Sequence, residues 1–403
     1  MNDVSTGSIL IALLFWGSLG GIFYTYFGYP VLIFLLAKII HKPEAYQTHK
    51  PSVTLLIAAY NEEIVIEEKL KNSLSIDYPR NLLQILVVTD GSADKTTEIA
   101  KRYTPYGIEI LHEPERRGKM AAINRALPNA SGEIVVFSDA NNYYQSDTIL
   151  KLVQPFGNPD VGAVTGAKVI GQGDGSLAAS EGLYWKYESF IKRQESWAGS
   201  CTSAAGEVLA IRKNLYSPPP DNVINDDFYI AMQIVRNGYR LVYAPEAKSI
   251  ERVSPSAQDE ITRRTRINAG RFQAIMMANQ ILPFNRPLLV WQILSHKFLR
   301  PLIPFFMIGA ALFNLLAVLF PPSAKGLWIL SQPYSLIFLG LQILFYALAW
   351  IGRKTGNRGE QSKLTRLFYI PTFLTNSNYA ALMGFFRFLR GSQSHMWERI
   401  QRR

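Results

Sequence analysis

Cysteine is almost absent from this 403-residue chain: the lone Cys201 rules out an intramolecular disulfide and a cysteine-rich zinc module. Histidine is scarce, and His41, His49, His112, His296 and His395 never approach metal-ligand spacing. Charged residues make up 18% of the chain against 48% apolar ones, below the roughly 25% charge of soluble domains. That balance excludes a long disordered chain and points to a water-soluble domain joined to membrane segments. There is no Walker A loop, because Met120 follows Gly118-Lys119 and position 113 is Glu. Gly171, Gly173 and Gly175 have the wrong spacing for a dinucleotide fingerprint and read as a turn. The lack of a Gly-x-Ser-x-Gly elbow weakens a hydrolase reading.

What the chain does have is positive charge and apolar length. Forty-two Lys and Arg against 31 Asp and Glu give +11. Residues 8–40 carry no charge until Lys38, so a transmembrane helix is expected there, bent at Pro30. Asp3, the excess apolar length and the missing small-residue cleavage site argue against a cleaved signal peptide. Lys38, His41, Lys42 and Lys50 then place the next domain in the cytoplasm. Residues 298–320 and 327–351 read as a spanning hairpin around Pro321-Pro322-Ser323, and Arg353, Lys354, Arg358, Lys363 and Arg366 return the chain to the cytoplasm. Residues 367–389 contain Asn376, Ser377 and Asn378 before a basic tail with Arg387, Arg390, Arg399, Arg402 and Arg403, so an interfacial or re-entrant helix is expected. The excess cations thus lie beside the bilayer, where membrane lipids are their partners. Nucleic acid is not a partner on this reading, since no aromatic-interleaved basic patch occurs.

Between residues 51 and 250 short apolar runs alternate with helical periods. Residues 53–58, 85–89, 108–111, 134–137 and 161–165 read as strands of an α/β domain with a mostly parallel sheet. Ligands of such sheets bind beyond the carboxyl ends of the strands. Those exits carry Ala59-Tyr60-Asn61-Glu62, Asp90-Gly91-Ser92 with Asp94, and Ser138-Asp139-Ala140-Asn141. Asp94, ahead of the helical run 95–103, reads first as a cap. Asp90 and Asp139 each read equally as cap or ligand group, and it is their joint appearance on one rim that favours a nucleotide site.

Together with Arg117-Gly118-Lys119, Asn225-Asp226-Asp227 and the cluster from Arg263 to Arg266, these motifs stand in the order seen in family 2 glycosyltransferases. The chain resembles the membrane-embedded branch that includes cellulose, hyaluronan and poly-N-acetylglucosamine synthases, through Gly28-Tyr29-Pro30 and the ending from Arg387 to Trp397 as well. The resemblance implies a cytoplasmic GT-A-like nucleotide-sugar domain at residues 43–280, after a transmembrane helix at 1–42 and before interfacial and transmembrane helices at 281–403. It implies a multi-pass protein of the plasma or inner membrane that transfers sugar with inversion from a UDP-sugar to a saccharide or lipid-linked acceptor, in polysaccharide synthesis. Accessory export or assembly subunits would be further partners. A non-processive transferase acting on a lipid carrier and a non-catalytic nucleotide-sensing regulator are the alternatives.

By the same resemblance Asp90 accepts the uracil imide N–H, while Ala59, Tyr60 and Glu62 frame the donor and Lys119, Arg263 and Arg266 face its phosphates. Asp139, with Asn141 where a second Asp is common, would hold Mg²⁺ or Mn²⁺. Asp227 would be the general base, although two acids opening the helical run 228–235 also complement its dipole. Processive synthases carry Gln-x-x-Arg-Trp where this chain has Arg263-Arg264-Thr265-Arg266-Ile267. The lost Trp removes an aromatic face for the acceptor; Trp185, Tyr187 and Trp197 are alternative stacking residues, although each reads first as core packing.

Overall fold

Valine and isoleucine crowd the segments that become strands, because β-branched side chains fit a pleated surface covered on both faces. The computed structural model describes residues 5–41, 49–170, 176–251, 257–355 and 363–393. Its strands are β1 (Val53–Ala59), β2 (Leu83–Asp90), β3 (Ile108–Glu113), β4 (Ile134–Asp139), β5 (Asn142–Tyr144), β6 (Val161–Ile170), β7 (Leu209–Arg212) and β8 (Arg240–Glu251). They form one sheet in the order β3-β2-β1-β4-β7-β6-β8-β5. Every residue of β1 is buried. Its alternation sends Leu56 into one core with Leu86 and Val135, and Leu55 and Ile57 into another with Val87 and Val136.

Strands β3, β2, β1 and β4 run parallel, as do β6 and β8; β7 is antiparallel to both β4 and β6, and β5 to β8. The sheet is thus α/β with a GT-A-like, mostly parallel layout, as expected from the chain. Sequence reading finds five of the eight strands. β5 and β7 span only three and four residues, and β8 carries Pro245, which argues against a strand until its pairing with β6 is seen.

Three helices among the described residues are long and apolar enough to cross a membrane: Thr6–Ile40, Pro287–Leu319 and Tyr334–Lys354. In the first, Pro30 has no N–H to offer the carbonyl four residues back, that of Tyr26. The helix widens into a π-turn over Tyr24–Gly28, and Tyr187 Oη from the helix Ser176–Trp197 donates to Tyr26 O at 2.8 Å. The expected bend is therefore a π-turn whose freed carbonyl ties the first candidate span to the helix Ser176–Trp197. Tyr29 Oη strengthens that seam by donating to the buried Glu195 at 2.5 Å.

The helix Lys363–Leu389 is not among the three candidate spans. It lies along Ala257–Met276, where a Cβ at Gly384 would come within 2.7 Å of Asn268 Cβ. Residues 171–175 and the basic Lys42, Arg358, Arg399, Arg402 and Arg403 fall outside the described residues.

Candidate active site

Register builds the site. Ala58 on β1 pairs with Asp139 on β4, and Ala59 pairs with Thr89 on β2, one residue before Asp90. Asp90 and Asp139 therefore leave the sheet on the same rim, on either side of β1, about 10 Å apart by two strand spacings.

Asp90 is buried and half satisfied. Its Oδ2 accepts the backbone N–H groups of Arg117 at 3.0 Å and Gly118 at 2.6 Å, while its Oδ1 accepts no hydrogen bond and faces Arg125 Nη2 at 3.7 Å. Gly118 holds a φ of 96°, which lets the loop present both N–H groups before the helix Lys119–Ala126 begins. Beside this spot the Arg116 guanidinium lies 4.0 Å from the centroid of the Tyr60 ring. Gly91 (φ 63°) admits that approach, since a Cβ there would meet Arg116 N at 2.6 Å. Asp94 behaves as a cap: its Oδ1 accepts from Thr96 N at 2.9 Å and its Oδ2 from Glu63 N at 3.1 Å.

One residue after Gly118, Lys119 reaches the second acid. Its Nζ donates to Asp139 Oδ1 at 2.8 Å and stands 3.9 Å from Asp226 Oδ2. Burial disfavours the ammonium, but Asp139 and Asp226 outweigh it and hold the Lys119 pKa above the ordinary lysine value. Behind Asp139 the fully buried Lys69 donates to Ser138 Oγ and Asn142 O, both at 2.7 Å, and burial lowers its pKa to about 7. Asn141 Nδ2 donates to Glu251 Oε1 at 3.1 Å, leaving Oδ1 as its oxygen for a cation.

Asp227 opens the helix Asp226–Arg236. Its Oδ2 accepts from Gly206 N at 3.1 Å and its Oδ1 from Phe228 N at 2.7 Å. Asn225 fixes the start of that helix by donating to Ile267 O at 2.9 Å. Burial, and then the neighbouring Asp226 charge, push the Asp227 carboxyl up to about 6. Such a carboxylate is mostly ionised at neutral pH yet basic enough to take a proton.

Tyr60, Glu62, Lys119, Asp139, Asn141 and Asp227 line one cavity of about 1290 Å³, and Arg263 and Arg266 face it from the helix Ala257–Met276. Ala59 and Asp90 stand beside the cavity rather than in its wall. Arg263 is held by Glu260 through Nε and Nη2, both at 2.9 Å, and Arg264 Nε reaches the same carboxylate at 2.5 Å. Of the three aromatic candidates, Trp185 and Tyr187 line the cavity; Trp197 packs against His41 instead. Trp185 Nε1 is buried without a hydrogen-bond partner.

Other wall residues escaped the sequence reading. Lys168 pairs with Glu251 and lies 3.1 Å from Glu207 Oε1, joining β6, β8 and the turn before β7. Lys297 and Arg300 also face the cavity, and their signal was charge interrupting an otherwise apolar helix.

Residues 54–217 match the family model Glycosyl transferase family 2. Over 219 residues the chain is 31% identical to a beta-monoglucosyldiacylglycerol synthase of Nostoc sp., covering 53% of this chain and 46% of the relative. Over 212 residues it is 28% identical to a poly-beta-1,6-N-acetyl-D-glucosamine synthase of Staphylococcus aureus, covering 51% of each. The chain thus spans about half the length of the curated relatives it matches. A mannosyltransferase from Pyrobaculum calidifontis, solved with GDP-Man and Mn²⁺, superposes with a TM-score of 0.69 at 25% identity, covering 95% of this chain and 99% of the other. The rim acids, the acids at Asp226–Asp227 and these likenesses agree, and residues 54–217 form a domain that matches glycosyl transferase family 2.

Proposed function

We propose that this protein transfers a sugar, with inversion, from a UDP-sugar to a hydroxyl of an acceptor carried by the membrane, at its cytoplasmic face. The observation that carries the reading is that one cavity is lined by both kinds of residue. Lys119, Asp139 and Asp227 wall one end, and apolar side chains of the spanning helices wall the other. The cationic residues following the first and third candidate spans support a cytoplasmic catalytic end.

Asp90 supports uracil over guanine. Its one unoccupied oxygen suits the single imide N–H of uracil, whereas guanine offers two adjacent N–H groups that call for both oxygens. The flat Arg116 guanidinium on Tyr60 marks where a base ring would stack.

Among the described residues no three His, Cys, Asp or Glu side chains gather as a metal cage. That donor set suits Mg²⁺ or Mn²⁺ drawing most of its oxygens from a diphosphate, with Asp139 and Asn141 Oδ1 as the protein's share. The ion would supply positive charge to the departing diphosphate. Lys119 adds a fixed charge next to it, and Arg263 and Arg266 face the same space. Asp227 takes the acceptor hydroxyl proton. The new bond from that oxygen to the anomeric carbon forms as the bond to the diphosphate breaks, and UDP leaves with the electron pair.

One relative is named for a glycolipid and another for a polysaccharide, so both acceptor classes come into view. The apolar end of the cavity favours a lipid-linked acceptor. Polysaccharide elongation is the second reading, supported by Trp185 in the wall, whose unpartnered Nε1 offers a donor to a sugar hydroxyl. The test is to incubate the protein in nanodiscs with native lipid extract, Mn²⁺ and a panel of labelled UDP-sugars. One sugar should release UDP and carry label into the organic phase. Label in an aqueous polymer would select the second reading, and absence of UDP release with every sugar would overturn both.

A further inference from the structure

Buried charge needs a partner, and the waist of the cavity holds more cations than the chain neutralises. Lys192, Arg271, Lys297 and Arg300 all face it. Arg300 pairs with Glu188, its side chain is only 9% exposed, and its Nη2 is buried with no hydrogen-bond partner. Among the described residues the other three have no carboxylate within ion-pairing distance. Lys297 donates to Ser203 Oγ at 2.6 Å, Arg271 to Asn268 Oδ1 at 3.2 Å, and Lys192 lies over the Trp185 and Tyr243 rings. The nearby Glu195 lends its charge to Lys297 but has its oxygens engaged by Tyr29, Thr202 and His296, so with Glu188 it makes two carboxylates against these four cations.

Burial alone would raise the Tyr184 phenol beside them, yet Arg300, Arg271, Arg264 and Lys297 outweigh it and bring it down to about 7. On the membrane side of this ring the wall turns apolar, with Leu19, Ile22, Met307, Leu341, Phe345 and Leu374. On the catalytic side the loop is short. Ser203, which holds Lys297, is three residues from Gly206, whose N–H binds Asp227. Three residues span at most about 10 Å, comparable with a phosphate and the sugar ring it carries.

We propose that this ring of cations is the phosphate clamp for the acceptor: a lipid bearing a phosphate or diphosphate, its chain between the spanning helices and its hydroxyl at Asp227. The assignment rests on the glycosyltransferase reading above and deepens it. A phosphate would supply the missing negative charge, the apolar wall would cover the chain, and Arg300 Nη2 would gain its acceptor.

The test uses the full protein in zwitterionic nanodiscs with a long-chain polyprenyl monophosphate as probe, followed by calorimetry. The monophosphate should bind at least about ten-fold more tightly than the matching prenol or inorganic phosphate, as one charge-assisted contact requires. Arg271→Gln, which strands no carboxylate, should weaken the probe by about the same factor while leaving Mn²⁺-dependent UDP affinity and the melting temperature unchanged. Arg271→Lys should restore part of the binding. Equal binding of the prenol would reduce the site to an apolar slot, and equal binding of inorganic phosphate would make it a free-anion site. Equal competition by phosphatidylglycerol would make it a headgroup site, and a parallel loss of UDP affinity in Arg271→Gln would place the cations in the donor pocket. Each of these four results overturns the clamp. UDP-sugar turnover without probe binding would sink the clamp alone, whereas probe binding without any donor turnover would sink the glycosyltransferase reading.

Discussion

Lys119 Nζ lies 2.8 Å from Asp139 Oδ1, so a cation supplied by the chain already sits on the acid proposed to face the donor diphosphate. The Lys119→Met variant removes that charge and keeps most of the volume. The apparent KM for the donor should rise at least about ten-fold, the scale of one charge-assisted hydrogen bond, with the melting temperature little changed. A donor KM at the wild-type value would reduce Lys119 to a tie between Asp139 and Asp226.

The raised Asp227 pKa sets a pH dependence whose sign is fixed by the base role. Protonated Asp227 cannot accept the hydroxyl proton, so kcat/KM should fall as pH drops below about 6, roughly ten-fold per unit. Asp226→Asn removes a neighbouring negative charge that favours protonation, and the acid limb of the profile should move to lower pH. Since burial is the larger cause, the limb should still stay above the ordinary aspartate range. A profile that ignores Asp226→Asn would take the limb away from Asp227.

Asp90→Asn tests the base selectivity directly. The N–H groups of Arg117 and Gly118 would keep the amide oxygen, turning the amide NH₂ toward the base. The variant then donates where the wild type accepts, so UDP affinity should fall by about ten-fold or more while CDP, whose ring nitrogen accepts, gains relative to UDP. Competition calorimetry with UDP, CDP and GDP checks this, and an unchanged ranking would remove Asp90 from base recognition.

The rim was legible because strand ends are local: apolar runs stop at Ala59, Asp90 and Asp139, and parallel pairing brings them together. Asp227 was legible only through its motif, since its contact with Gly206 joins elements about twenty residues apart. The Lys168, Glu207 and Glu251 group was not legible at all. It depends on β6 pairing with β8, a non-local event that no period in the sequence announces. Lys297 and Arg300 were hidden differently, because starting the apolar span at residue 298 leaves Lys297 outside as a boundary charge and passes over Arg300 at its start. The described helix begins at Pro287 and carries them within it.

Removal of the acceptor proton by Asp227 in a glycosyl transfer is tested by comparing Asp227→Asn with the wild type in the same nanodiscs. Asparagine is nearly isosteric and keeps an oxygen for one of the two backbone N–H groups from Gly206 and Phe228. The other hydrogen bond is lost, for about 1 kcal/mol and a small drop in melting temperature. Donor affinity by calorimetry should be unchanged, and UDP release coupled to acceptor labelling should fall at least about 10²-fold, the scale of a positioned general base. Transfer at the wild-type rate with normal donor affinity would contradict the account and direct the search for the base to Asp226.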